Sequence, residues 1–123
     1  MTTLTEGKHA GGFLVWEVLR DYTRETVTVA SGAGKLEPGT VLGKITTGGE
    51  YTGLAPAATN GSQNAAGILW AGVDASAADA PGVVVLRGSA IVNRQEIIWP
   101  EGATEAQITA ATTALATIGI ILR

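Results

Sequence analysis

Short segments in which apolar and polar residues alternate dominate the chain and predict a mostly β fold. The clearest is residues 24–30, where Val27 and Val29 fall on one face and Thr26 and Thr28 on the other, as in a half-buried strand. Other short apolar runs predict further strands, at residues 41–46, 66–73, 83–86, 91–92, 97–98 and 120–122. We expect these strands to form one compact domain, because 123 residues leave little room for a second core.

Turn-forming residues separate these runs. Pro38-Gly39 predicts a tight turn before residues 41–46, because proline fixes φ and glycine tolerates a positive φ. Residues 48–49 predict a hairpin turn that returns the chain through Tyr51. Residues 55–64 predict a surface loop, and residues 81–82 predict an alanine-rich turn.

One segment near the C-terminus has helical periodicity. Thr104 can cap its N-terminus, with Gln107 three residues later as in a capping box, and Gly119 suits the position just after the helix. The apolar residues between them recur at intervals of three and four and give one buried stripe: Ile108, Ala111, Leu115 and Ile118. We therefore predict a single C-terminal helix followed by a final strand.

The N-terminal segment differs from the rest. Residues 1–12 are polar and end in two glycines, so they cannot bury enough apolar area to order themselves. Residues 13–19 have high β-propensity and need a partner strand, and strict alternation would give them two faces: Leu14, Trp16 and Val18 against Val15, Glu17 and Leu19. We divide the chain into an extended N-terminal arm, residues 1–22, and a β-rich body, residues 23–123.

Composition excludes several classes of partner. The formal charge of −3, the pI near 5.0 and the scattering of the eight basic residues oppose binding to nucleic acid. No apolar run approaches the roughly 18 residues that a membrane-spanning helix needs. Cysteine is absent, so no disulfide, thiolate metal site or cysteine nucleophile can form. We expect neither a nucleic-acid partner nor a membrane partner.

The candidate catalytic motifs fail on spacing. Gly34-Lys35 and Gly43-Lys44 lack the upstream glycine and the following Ser or Thr of a phosphate-binding loop. His9 is the sole histidine and lies in the arm, so it gives neither a catalytic triad nor a zinc site with a second imidazole. We expect no catalytic residues, no metal, no cofactor and no small-molecule substrate.

The three tryptophans leave two interpretations open. All of them can belong to the core, since large aromatic side chains dominate core packing. Alternatively Trp16, which follows the polar arm, anchors a contact with another chain, a common role of exposed aromatics.

Taken in order, several motifs of the chain resemble the head decoration proteins of lambda-type tailed bacteriophages. They are residues 39–45 (Gly-Thr-Val-Leu-Gly-Lys-Ile), 64–70 (Asn-Ala-Ala-Gly-Ile-Leu-Trp), 97–101 (Ile-Ile-Trp-Pro-Glu), and the closing helix with residues 119–122 (Gly-Ile-Ile-Leu). Trp99-Pro100-Glu101 before an Ala/Thr-rich helix is the most specific of these features. The resemblance covers the chain from Lys35 onward.

The resemblance implies a compact, β-clip-like domain that assembles as a homotrimer on the outer surface of the virion, after synthesis in the host cytoplasm. It implies that the trimer clamps neighbouring copies of the major capsid protein and stabilises the expanded, DNA-filled head, which is a mechanical and not a catalytic action. In the family the N-terminal arm can contact the major capsid protein. We expect that capsid-binding role here for Phe13, Leu14, Val15, Trp16, Val18 and Leu19.

Two other functions remain as alternatives. A trimeric β-clip enzyme acting on nucleotides would need acidic and basic residues around a metal-bridged triphosphate, and the chain has no acidic motif placed for this. A phage surface adhesion module would present exposed aromatic platforms, which an aromatic content of 5% does not favour.

Overall fold

The computed structural model describes residues 9–123, so the first eight residues of the predicted arm lie outside the described part of the chain. The described chain is mostly β with one long helix near the C-terminus, which confirms the predicted fold class. Its strands are β1 Leu14–Glu17, β2 Arg24–Val29, β3 Gly34–Leu36, β4 Val41–Lys44, β5 Tyr51–Gly53, β6 Ala65–Leu69, β7 Val73–Ala75, β8 Ala80–Val85, β9 Ala90–Val92 and β10 Ile120–Leu122. Its helices are a single turn, α1 Arg20–Thr23, and the long helix α2 Glu105–Thr117, with a 3₁₀ turn at Arg94–Glu96.

Five strands close into a barrel in the order β2-β5-β4-β6-β8. The predicted hairpin is confirmed, because β4 pairs antiparallel with β5 after the glycine turn. Pro38-Gly39 also turns as predicted, with Gly39 at φ +95°. β2 pairs with β8 along its whole length but with β5 only at Val29, so the closure between β2 and β5 rests on one residue pair.

A second sheet has the order β1-β9-β10, so the N- and C-terminal strands lie on either side of β9. β9 pairs antiparallel with β1 and parallel with β10. The main core includes buried side chains from the barrel, from this sheet and from α2: Val41, Ile68, Val85, Val92, Leu115 and Ile120. The predicted arm therefore joins the body through Phe13 in this core and through the pairing of β1 with β9.

Helix α2 begins and ends as predicted. Thr104 Oγ1 accepts a hydrogen bond from the Gln107 backbone N–H at 3.2 Å, and Gln107 Oε1 accepts from the Thr104 backbone N–H at 3.0 Å, which completes a capping box. Gly119 follows the helix at φ +91°. No helix among residues 9–123 is long and apolar enough to cross a membrane.

Three strand predictions need correction. Pro81 and Gly82 do not form a turn but lie in β8, opposite Thr28 and Val27 of β2. Proline has no N–H to donate to a neighbouring strand. It is tolerated at position 81 because β6 pairs only with the far end of β8, so no hydrogen bond between β6 and β8 is lost there. Residues 66–73 divide into β6 and β7, and residues 97–98 contribute only one isolated bridge, between Thr40 and Ile98.

Candidate functional site

The exposed large apolar side chains of the described chain are concentrated in one short stretch. Five of the six lie between residues 15 and 22, and the complete set is Val15, Trp16, Val18, Leu19, Tyr22 and Ile121. Contiguous exposed apolar surface on a small protein commonly marks an interaction site. We call these six side chains the apolar patch.

A β-bulge in β1 accounts for the exposure of both Val15 and Trp16. Leu14 pairs with Val92 and Trp16 pairs with Ile91, so Val15 is an extra residue without a partner. Val15 and Trp16 are both exposed, whereas Leu14 packs against the core. The predicted two faces of strictly alternating residues are therefore wrong, because the bulge shifts the alternation by one position.

The sheet register extends the patch to the C-terminal strand. Trp16, Ile91 and Ile121 occupy one row across the three strands, and side chains in register on neighbouring strands lie on the same face. Ile91 is half-buried, and Trp16 and Ile121 are exposed on either side of it. Adjacent strands are about 4.8 Å apart, so the row measures roughly 10 Å across the sheet.

An ion pair anchors the patch to the body. Glu17 pairs with the Arg24 guanidinium, and its Oε2 also accepts from Thr23 Oγ1 at 2.6 Å. The Glu17 and Arg24 side chains are only 12% and 20% exposed. Burial raises the pKa of Glu17, but hydrogen bonds from Arg24 and Thr23 and the positive charges of Arg24 and Arg20 outweigh it. The net pKa of Glu17 therefore lies below its ordinary value of 4.5.

Trp70 is the centre of this anchorage. The Arg24 guanidinium carbon lies 3.4 Å from the centroid of the Trp70 ring, and Phe13 meets the same ring edge-on at 6.2 Å. The Gly11 N–H donates to the Trp70 carbonyl at 2.8 Å. A Cβ on Gly11 would lie 2.0 Å from Trp70 Cη2, so only glycine fits there. Gly11, Phe13 and Arg24 thus all contact Trp70.

The six residues expected to bind the capsid differ in their exposure to solvent. Val15, Trp16, Val18 and Leu19 are exposed, Leu14 is half-buried, and Phe13 is 2% exposed in the core. Trp16, at 51% exposure, is not a core residue, whereas Trp70 and Trp99 pack against the core.

Sequence reasoning did not single out Tyr22 or Ile121 as surface residues. For Ile121, the alternation of buried and exposed positions along Ile120–Leu122 was the available signal.

A pair of carboxylates lies outside the apolar patch. A side-chain hydrogen bond with Asp79 and the negative charge of that residue raise the pKa of the half-buried Glu50. Asp79 Oδ1 in turn accepts from the Ser31 backbone N–H at 2.7 Å. Among residues 9–123, no group of three His, Cys, Asp or Glu side chains could hold a metal ion.

Comparison with known protein families extends the resemblance toward the N-terminus. Residues 3–120 match the family described as bacteriophage lambda head decoration protein D. The match therefore includes the patch residues from Val15 to Tyr22, which lie before the motifs that carried the resemblance, whereas Ile121 lies one residue beyond it. A comparison with curated protein sequences found no match.

Proposed function

Because the chain belongs to the bacteriophage lambda head decoration protein D family, we propose that it binds the outer surface of the expanded, DNA-filled head as a homotrimer and stabilises that head. Membership of this family supports a structural role in the virion, as a protein that decorates the capsid. The observation on which the proposal rests is the match over residues 3–120, supported by the concentration of exposed apolar side chains within the matched region.

The apolar patch is the proposed contact with the major capsid protein. Trp16 is a large, half-exposed aromatic flanked by Val15, Val18 and Leu19, and aromatic side chains that become buried at an interface often dominate its binding energy. Phe13 and Leu14 support this contact from the core side, because their own side chains face the body. The Glu17–Arg24 pair beneath the patch reduces the conformational entropy lost on binding.

Assembly as a homotrimer strengthens binding through a small apolar patch. A few apolar side chains on one subunit give only weak binding, whereas three linked subunits bind the lattice together, since the second and third contacts form at high effective concentration. The trimer then joins several capsid subunits and resists their separation. The proposed action is mechanical, and no catalytic residue takes part.

Point substitutions test the contact better than truncation. Deleting residues 1–19 would remove β1 and Phe13, and with them part of the core. Trp16→Ala removes a half-exposed side chain that lies outside the core, and Thr113→Ala, at an exposed position on α2, is the control. Purified protein should bind undecorated expanded capsids saturably, Trp16→Ala should weaken binding at least tenfold, or about 1.4 kcal/mol, and Thr113→Ala should not.

The outcomes separate the parts of the proposal. Equal capsid affinity of Trp16→Ala and the unmodified protein would refute the patch as the contact. Density for a single isolated subunit at each site, in electron microscopy of decorated capsids, would refute the trimer. Failure of the unmodified protein to bind any expanded capsid of its own virus would refute decoration itself.

A further inference from the structure

The loop between β5 and β6 contains Asn60-Gly61, the one Asn-Gly pair in the sequence. The Asn60 side chain is exposed, yet its Oδ1 accepts two hydrogen bonds. One comes from the Ser62 backbone N–H at 3.1 Å and the other from Ser62 Oγ at 2.6 Å. Ser62 is 2% exposed, so both donors are held in place by the body. Two fixed donors on one carbonyl oxygen polarise the adjacent carbon, Cγ, toward attack by a nucleophile.

The backbone nitrogen of Gly61 is the nucleophile next to this carbon. Glycine has no side chain to shield that nitrogen, and Gly61 adopts φ +105°, where other residues are strained. The fold keeps glycine at this position, because a Cβ would lie 2.3 Å from Thr46 Oγ1 and 2.7 Å from the Lys44 carbonyl oxygen. The Gly61 N–H donates to Gln63 Oε1 at 2.8 Å, a hydrogen bond that breaks when this nitrogen loses its proton and attacks.

We propose that Asn60-Gly61 is a site of spontaneous deamidation, and that Ser62 promotes the reaction. The Gly61 nitrogen gives its proton to solvent and forms a bond to Asn60 Cγ. The bond from Cγ to the amide nitrogen then breaks, and that nitrogen takes a proton and leaves as ammonia. Water hydrolyses the resulting cyclic imide at either carbonyl and yields aspartate or isoaspartate at position 60. The two Ser62 donors stabilise the oxyanion that forms on Oδ1 during the attack.

The two products differ in their effect on the loop. Aspartate keeps the main chain unchanged, and its carboxylate accepts the same two hydrogen bonds from Ser62. Isoaspartate adds a methylene to the main chain at the residue whose carbonyl oxygen accepts from the Thr46 N–H at 2.8 Å. The space beside Gly61 is already filled, so this product disturbs the contact between the loop and the end of β4. Either product adds one negative charge to the subunit as it ages.

The chain contains its own controls. Asn64 is exposed and precedes alanine. Asn93 resembles Asn60 in that its Oδ1 accepts a backbone hydrogen bond, from the Gln95 N–H at 3.0 Å, but it precedes arginine. Incubation of the full chain at neutral and mildly alkaline pH, followed by peptide mass analysis, measures conversion at all three asparagines. We expect conversion at Asn60 to be severalfold faster than at the other two and to rise with pH.

Two comparisons test the role of the turn. Conversion of Asn60 should be faster in the folded protein than in the same protein unfolded in urea, because unfolding disperses the Ser62 donors. Slower conversion in the folded protein would show that the turn protects Asn60, and would overturn the proposal. Ser62→Ala, checked for folding by circular dichroism, should slow conversion roughly fivefold, the equivalent of one neutral hydrogen bond of about 1 kcal/mol. An unchanged or higher rate would overturn the role of Ser62.

Discussion

Replacement of Arg24 by alanine tests whether the apolar patch depends on the Trp70 anchorage. The substitution removes the ion pair with Glu17 and the guanidinium that lies 3.4 Å from the Trp70 centroid. It leaves the Glu17 carboxylate, at 12% exposure, with the Thr23 hydroxyl as its remaining described hydrogen-bond donor.

The expected loss of stability is the sum of two contributions. A hydrogen bond to a charged group contributes about 1.5–3 kcal/mol to stability. A cation–π contact at a partly exposed site adds about 0.5–1 kcal/mol. We therefore expect Arg24→Ala to lower the free energy of unfolding by about 2–4 kcal/mol, measured by urea denaturation with tryptophan fluorescence.

Arg87 provides a matched control within the same chain. It also pairs with a glutamate, Glu25, and lies over an aromatic ring, that of Tyr22, at 5.3 Å. Its pair is far more exposed, at 35% for Arg87 and 52% for Glu25, so water screens the interaction. Arg87→Ala should therefore cost about 1 kcal/mol or less. Equal losses of stability in the two variants would show that burial does not strengthen the Arg24 contacts, and would refute the reasoning.

The Glu17 carboxylate adds a pH signature to the same test. Its folded-state pKa is below the ordinary value of 4.5, so the ionised form stabilises the fold at pH values above 4.5. That stabilisation falls progressively as the pH drops from there through the lower folded-state pKa. Arg24→Ala should reduce this loss on acidification, which unfolding curves measured across the acidic range would show.

Three further substitutions test other parts of the structure. Gly11→Ala should destabilise the fold by about 1–3 kcal/mol, because it combines a positive φ with a clash against Trp70; a thermal unfolding midpoint equal to that of the unmodified protein would contradict the described contact. Leu115→Ala should cost about 2–5 kcal/mol in urea denaturation, since the Leu115 side chain is fully buried between α2 and the sheets; a loss below 1 kcal/mol would contradict its place in the core. Asp79→Asn should lower the pKa of Glu50 toward its ordinary value of 4.5, observed by carboxyl NMR titration, and an unchanged titration would show that Asp79 does not cause the shift.

Local chemistry made the helix and most of the strands predictable. The capping box at Thr104 and the glycine after the helix act within a few residues of their own positions, so the sequence shows both ends of α2 directly. Alternation likewise predicted β2, because Val27 and Val29 lie on one face whichever strand pairs with them. The family motifs could be recognised in the sequence for the same reason, since each is a short continuous run of residues.

The candidate site could not be predicted from local sequence patterns, because it depends on contacts between residues that are distant in the chain. Arg24 and Trp70 are far apart in the chain, and no local pattern indicates that the guanidinium lies on the indole. The bulge at Val15 arises from pairing with β9, and Pro81 lies in a strand because β2 pairs with it. Strand register and side-chain stacking are decided by the partner across the sheet, which is absent from the local sequence.

The sequence by itself determined the mostly β character, the C-terminal helix and the resemblance to a capsid decoration family. The tertiary structure alone decided which of residues 13–19 are exposed and that Ile121 joins them. The physical reason is that short-range periodicity selects the type of element, whereas the free energy that fixes register and exposure comes from neighbours brought together by folding.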